Sequence, residues 1–250
     1  MKTILFKFIM IAALASSLIA CSRGSIDSSF LTEDENGNNN IYRSYRVDYN
    51  EQKNKTMATA TFSVGNSYGT TVRLVNPASL KVNGSLAASD TDVIDGGEVS
   101  AFYLGFIFPP AWLFMGASGT TYHKTVAGKS AVFEFTDTSG SKFRDTAYVP
   151  SLQLSLPQYP SASGFTVQVY GGSYGDNMRV RISQGSISES IYAYSNTAPV
   201  TASHLAKFGP GVVEITVEVE SSSSIRADNE SLGGDIKTTY SFAPRRIQLR

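Results

Sequence analysis

The sequence predicts an all-β fold, arranged as two tandem immunoglobulin-like antiparallel β-sandwich domains, and three observations carry that expectation. First, several short runs alternate apolar and polar residues: Ala58–Val64, Val132–Phe135, Phe165–Tyr170 and Val213–Val219. A period of two places the apolar residues on one face of a pleated strand. Second, Gly, Asn, Ser and Pro interrupt these runs about every 8–12 residues, the spacing of hairpin-connected strands. Third, 13 tyrosines and 14 phenylalanines suit half-buried pleated surfaces. Helical periodicity is weak. One larger two-sheet sandwich, or a barrel built from both halves, would satisfy the same pattern.

An internal repeat sets the domain boundaries. Gly65-Asn66-Ser67-Tyr68-Gly69-Thr70-Thr71-Val72-Arg73-Leu74 matches Gly171-Gly172-Ser173-Tyr174-Gly175-Asp176-Asn177-Met178-Arg179-Val180, with a strand-like run before each. Val132–Thr136 then matches Val212–Thr216, and Tyr148-Val149-Pro150 resembles Phe242-Ala243-Pro244. The order is preserved, so one copy spans 41–150 and the other 151–250. The changing offset between matches calls for one insertion in the first copy, between Leu74 and Val132. It calls for a second in the second copy, assigned to Glu220–Asp235 and read as an exposed polar loop.

The first insertion has a distinctive composition. From Val99 to His123 there is no acid, lysine or arginine, and Phe102, Tyr103, Phe106, Phe108, Trp112 and Phe114 lie within it. Pro109-Pro110 divides it, and each side is too short to cross a bilayer as a helix. It reads as two extended arms about a Pro-Pro turn. Three fates compete: core between the domains, a docking surface for a protein partner, or contact with a bilayer. The six aromatic residues are the candidate partner or membrane contacts.

The N-terminus carries an address. Lys2 and Lys7 give a positive start, Phe8–Ser17 is a short apolar or small-residue stretch, and Leu18-Ile19-Ala20-Cys21 follows. This run resembles the lipobox of bacterial lipoproteins. The resemblance implies that residues 1–20 are a signal peptide and that Cys21 is lipidated as the mature N-terminus. Several acyl chains would hold it firmly, at about 0.8 kcal/mol per buried methylene. Ser22 after the cysteine implies the outer membrane. Residues 21–40 read as a lipidated polar tether, with Glu33-Asp34-Glu35 and Asn36–Asn40 within it.

Composition bounds the chemistry. Lysine plus arginine equals aspartate plus glutamate at 21 each, so the basic excess of a nucleic-acid binder is missing. A single cysteine excludes internal disulfides, and two histidines exclude a three-histidine metal site. No G-x-S-x-G, S-x-x-K, H-E-x-x-H, P-loop or dinucleotide fingerprint occurs. Asp137-Thr138-Ser139-Gly140-Ser141 fits D-x-S-x-S but reads as a turn between strands. His123 and His204 precede the matched strands and read as one structural position occurring twice. Glu134 and Glu214 are repeat-equivalent and expected to face solvent, and Arg245, Arg246 and Arg250 to form a solvated tail. No cofactor, metal or catalytic residue is assigned. The expectation is a lipid-anchored, non-enzymatic envelope protein that binds a protein or glycan partner. A lipid-anchored hydrolase of envelope polysaccharide or peptide, and a surface adhesin-type subunit, are the alternatives.

Because the second copy lacks the apolar insertion, deleting Phe102–Met115 is expected to leave the second half folded. Retained β-type circular dichroism checks this, and loss of all structure counts against it.

Overall fold

The computed structural model describes residues 25–31, 41–89, 120–157, 160–161, 163–171, 177–225 and 233–249. The strands of the first half are β1 (Ile26–Asp27), β2 (Ile41–Asn50), β3 (Lys55–Val64), β4 (Val72–Arg73), β5 (Ser79–Val82), β6 (Ser85–Leu86), β7 (Ala88–Ser89), β8 (Thr121–Ala127), β9 (Ser130–Thr136) and β10 (Lys142–Tyr148). Those of the second are β11 (Gln153–Ser155), β12 (Gly164–Tyr170), β13 (Asn177–Gln184), β14 (Ile187–Ala193), β15 (Thr197–Thr201), β16 (Gly211–Ile225), β17 (Gly234–Ser241) and β18 (Arg245–Leu249). One helical turn, α1 (Ala202–Leu205), follows β15. The all-β expectation holds.

The two halves repeat one strand order. In the first, β2-β3-β8 form one antiparallel set and β10-β9-β5-β6 another. In the second, β11-β12-β15 and β18-β16-β13-β14 stand in the same places. The glycines that open the first sequence match end equivalent strands, β3 and β12. Gly65 and Gly171 both adopt positive φ there, 81° and 90°. Only glycine does this without strain, which explains why the motif starts with it. Glu134 and Glu214 lie on equivalent strands, half-exposed, each facing an arginine across the sheet, Arg144 and Arg246.

Side-chain alternation drives the packing. On β2 the inward residues are Ile41, Arg43, Tyr45, Val47 and Tyr49, and on β3 they include Ala58, Ala60 and Phe62. Tyr45 stacks on Phe133 of β9 with ring centroids 4.2 Å apart, and Phe62 meets Phe135 at 4.8 Å. The alanines leave room for these rings, and each such pair contributes roughly 0.5–1.5 kcal/mol beyond its buried area. Val167, Val169, Ala198 and Val200 of one sheet join Val180, Ile182, Ile215 and Val217 of the other in the second half. Both groups belong to a single hydrophobic cluster.

An ion pair is buried in the first half. Arg43, with 3% of its side chain exposed, reaches Asp145 of β10 at 3.2 Å, and its guanidinium lies 4.7 Å from the centre of the Phe143 ring. Burial, with the Asp145 charge nearby, pushes the Tyr45 hydroxyl far above the ordinary tyrosine range. Removing one member of such a pair leaves an uncompensated buried charge, at about 3–5 kcal/mol.

The halves are joined by strand pairing. β16 is 15 residues long. Its first part pairs with β13 and β18, while Glu218–Ile225 pair with β17. The other edge of β17 pairs in parallel with β2, from Gly234↔Arg43 to Ser241↔Asn50. Nine strands thus form one sheet running from β14 to β7. The stretch Glu220–Asp235 is therefore not simply an exposed loop: Glu220–Ile225 continue β16, and Gly234 and Asp235 begin β17. Serine has little strand preference of its own, and here the pairing partner decides. The match of Tyr148-Val149-Pro150 with Phe242-Ala243-Pro244 is also not structural. The first follows onto the end of β10, whereas the second separates β17 from β18, where Pro244 suits a break in the ladder.

Glu51, in the β2–β3 turn, closes the junction. Its backbone N–H donates to Ser241 O at 2.9 Å, and its carboxylate accepts from Tyr240 Oη (3.1 Å) and Ala243 N (2.9 Å). Lys129 lies over the rings of Tyr49 and Tyr240, 5.0 and 4.8 Å from their centres. At the opposite end of β17, a Cβ on Gly234 would stand 1.9 Å from Arg43 O. Gly234→Ala is therefore expected to destabilise by about 2 kcal/mol, a fall of roughly 4–8 °C in Tm. Gly209→Ala, where nothing stands within 4 Å, should change stability by less than about 0.5 kcal/mol. Thermal unfolding of both variants checks this, and equal Tm values would refute it.

Candidate functional site

The residues proposed from sequence for lipidation and for partner or membrane contact, Cys21, Phe102, Tyr103, Phe106, Phe108, Trp112 and Phe114, lie outside the described residues. Described residues nearby in the chain are Ser25, Ser89 and Thr120. In the sequence the segment that holds the six aromatics lies between β7 and Thr120, which precedes β8. β7 and β8 are paired neighbours, with Ser89↔Tyr122 in register. Thr120 is buried, and its Oγ1 donates to Ser25 Oγ at 3.3 Å. Ser25 is four residues after Cys21.

The reading of residues 21–40 as a solvated tether is corrected for 25–31. Ile26 and Asp27 pair in parallel with Val72 and Arg73, and Ile26 N donates to Thr71 O at 2.8 Å. Arg73 grips Asp27 with two hydrogen bonds, Nε to Oδ1 at 2.6 Å and Nη2 to Oδ2 at 3.0 Å. Ser28 is fully buried, and its Oγ accepts from Val75 N at 3.0 Å. Ile26 and Leu31 pack against the core. Few apolar residues mark this stretch. What holds it is backbone pairing, one fork-shaped ion pair and one buried hydroxyl, whose partners lie more than 40 residues away. Leu74 N donates to Tyr122 Oη at 2.6 Å, which ties the strand receiving Ile26 to β8.

Electrostatics reinforce the docking. The Arg73 hydrogen bond and charge hold the Asp27 carboxyl below its usual range, and Asp27 in turn raises Arg73. The repeat-equivalent Arg179 has a different task, pairing with Glu218 within the second half's own sheet at 2.5 Å.

Other singled-out residues serve structure. Asp137 spends its Oδ1 on Ser139 N, Ser139 Oγ and Ser141 N, at 2.7–2.9 Å, closing the β9–β10 turn. The histidines are not one position occurring twice: His123 lies within β8, while His204 sits in α1 after β15. There its Nδ1 accepts from Thr201 N at 3.1 Å and caps the turn. Arg245 and Arg246 belong to β18 rather than a tail, and face Glu51 and Glu214. Among the described residues, no group of three or more His, Cys, Asp or Glu side chains is placed to hold a metal ion. No helix among them is long and apolar enough to cross a membrane. Sequence reasoning missed the exposed tyrosines Tyr192 and Tyr194 on and beside the edge strand β14. Their Tyr-x-Tyr spacing was the available signal. No family model matches the chain, and no curated protein matches it.

The sign of the pH effect follows from Asp27. A lowered carboxyl pKa stabilises the docked state above the ordinary aspartate value, near 3.9, and that contribution is lost as pH falls through the lower folded value. Exchange protection at the Ile26 and Val75 amides, corrected for intrinsic rate, should fall as pH drops below about 4. In Asp27→Asn it should be weak already at neutral pH and change little with acidification. Equal protection in both proteins at pH 7 would remove the ion pair's role.

Proposed function

We propose that this chain is a lipid-anchored, non-enzymatic outer-membrane protein, held in the membrane through Cys21, that presents its β-sandwich scaffold to a protein or glycan partner. In this reading the two halves are tandem immunoglobulin-like sandwiches, a description their shared order of three strands and four supports. The segment with Phe102, Tyr103, Phe106, Phe108, Trp112 and Phe114 is the contact element. The observation that carries the reading is the Ser25–Thr120 hydrogen bond. It ties Ser25, four residues after Cys21, to Thr120, the first described residue after the apolar segment, which supports the reading. In this reading the contact element acts at the membrane surface or on a partner held there.

The test is expression in a diderm bacterium followed by detergent phase partition and intact-mass measurement. The wild type is expected in the detergent phase with the mass of an acylated Cys21 N-terminus, and Cys21→Ser in the aqueous phase. An unmodified wild type in the aqueous phase would end the proposal.

A further inference from the structure

The docked N-terminal strand defines one end of the first half. Ile41 begins β2 there, Val64 ends β3, Thr121 begins β8, and Gly234 begins β17. Ser25 is four positions along the chain from Cys21, and a chain reaches at most about 3.5 Å per residue. A bilayer holding an acylated Cys21 therefore lies within about 14 Å of Ser25.

One described turn at this end joins β3 to β4. Tyr68 at its tip is 86% exposed, the most exposed of the large apolar and aromatic side chains among the described residues. The turn is tightly built. Asn66 Oδ1 accepts from Tyr68 N at 2.9 Å, Gly69 N donates to Asn66 O at 3.0 Å, and Ser63 Oγ donates to Asn66 O at 2.5 Å. A Cβ on Gly69 would fall 1.8 Å from Val64 O, so only glycine closes it. Three residues after Tyr68, Thr71 O receives the Ile26 amide. The exposed tyrosine and the anchored chain thus share one short piece of backbone. Two other exposed tyrosines stand elsewhere. Tyr148 pairs opposite Ser130, beyond the far end of β8, and Tyr192 is in row with Arg179, Glu218, Ser241 and Asn50. Asn50 is nine residues along β2 from Ile41, about 30 Å at strand spacing.

We propose that the Gly65–Gly69 turn is a bilayer contact, with Tyr68 seated at headgroup depth and the second half's Tyr192 row held away from the membrane. The proposal rests on acylation of Cys21. Tyrosine suits the site because its ring prefers the boundary while its hydroxyl stays hydrated. One side chain binds lipid weakly, but an anchored chain makes the contact intramolecular, at the millimolar effective concentration of a short tether.

Cys21 is the only cysteine, and acylation occupies its thiol, so a second cysteine can be labelled alone. The full acylated protein carrying Ser67→Cys or Ser190→Cys is labelled with an environment-sensitive fluorophore. Each is then reconstituted in phosphatidylethanolamine–phosphatidylglycerol vesicles containing a doxyl-labelled lipid. The label at position 67 should lose intensity and shift to the blue, the label at 190 should do neither, and adding Tyr68→Ala should weaken the effect at 67. Flotation of the same samples separates the two layers. Protein that floats with equal signals at 67 and 190 overturns the contact alone. Protein that floats with a signal at 67 indifferent to Tyr68→Ala overturns the role of the tyrosine. Protein that does not float overturns the anchoring and the contact together.

Discussion

The parallel pairing of β17 with β2 is the constraint on which the rest depends. An isolated first half would leave the β2 edge with a row of unsatisfied amides and carbonyls. The second half supplies the missing strand by lengthening its β16 and folding back through β17. The partners at the two ends of this seam differ in kind. At one end Gly234 lets two backbones approach without a side chain between them. At the other, Glu51, Tyr240 and Lys129 lock the turn of one half to the strand of the other. Arg43 stands where the two systems cross. Its side chain forms the buried pair with Asp145, and its amide donates to Gly233 O at 3.2 Å.

That seam gives the molecule a direction. The shared sheet makes the strands of both halves a single surface, so fixing one end of β2 orients all of it. The N-terminal strand β1 joins β4 beside it through Asp27, Arg73 and Ser28, close to Thr120.

The all-β character and the doubled strand order were legible in the sequence because both leave local traces. Val213–Val219 alternates since one face is buried, and Gly65 and Gly171 recur since both end a strand at positive φ. The fusion of the halves was not legible. Serines 221–224 become strand only because Asp235–Thr238 lie opposite, and nothing within the serines says so. Strand β2 hid itself by placing Arg43 on its buried face, a choice that makes sense only with Asp145 about a hundred residues later. The docking of Ile26–Leu31 was hidden for the same reason: its partners, Val72, Arg73 and Val75, sit far along the chain. The candidate contact residues were chosen by composition. The structure describes only the residues on either side of their segment, Ser89 and Thr120.

Chain order gives the seam a temporal side. Arg43 and Gly234 are separated by roughly 190 residues, so this is among the least local contacts a chain of this size can make. A polypeptide made from its N-terminus has finished the ten described strands of its first half long before β17 exists. Until then the outer edge of β2 is an open template, ready to pair with any passing strand, including one from a neighbouring nascent chain. The fold is thus completed from its far end backwards. Clipping the chain just before Gly234 would not trim a tail but reopen that edge beside the N-terminal strands.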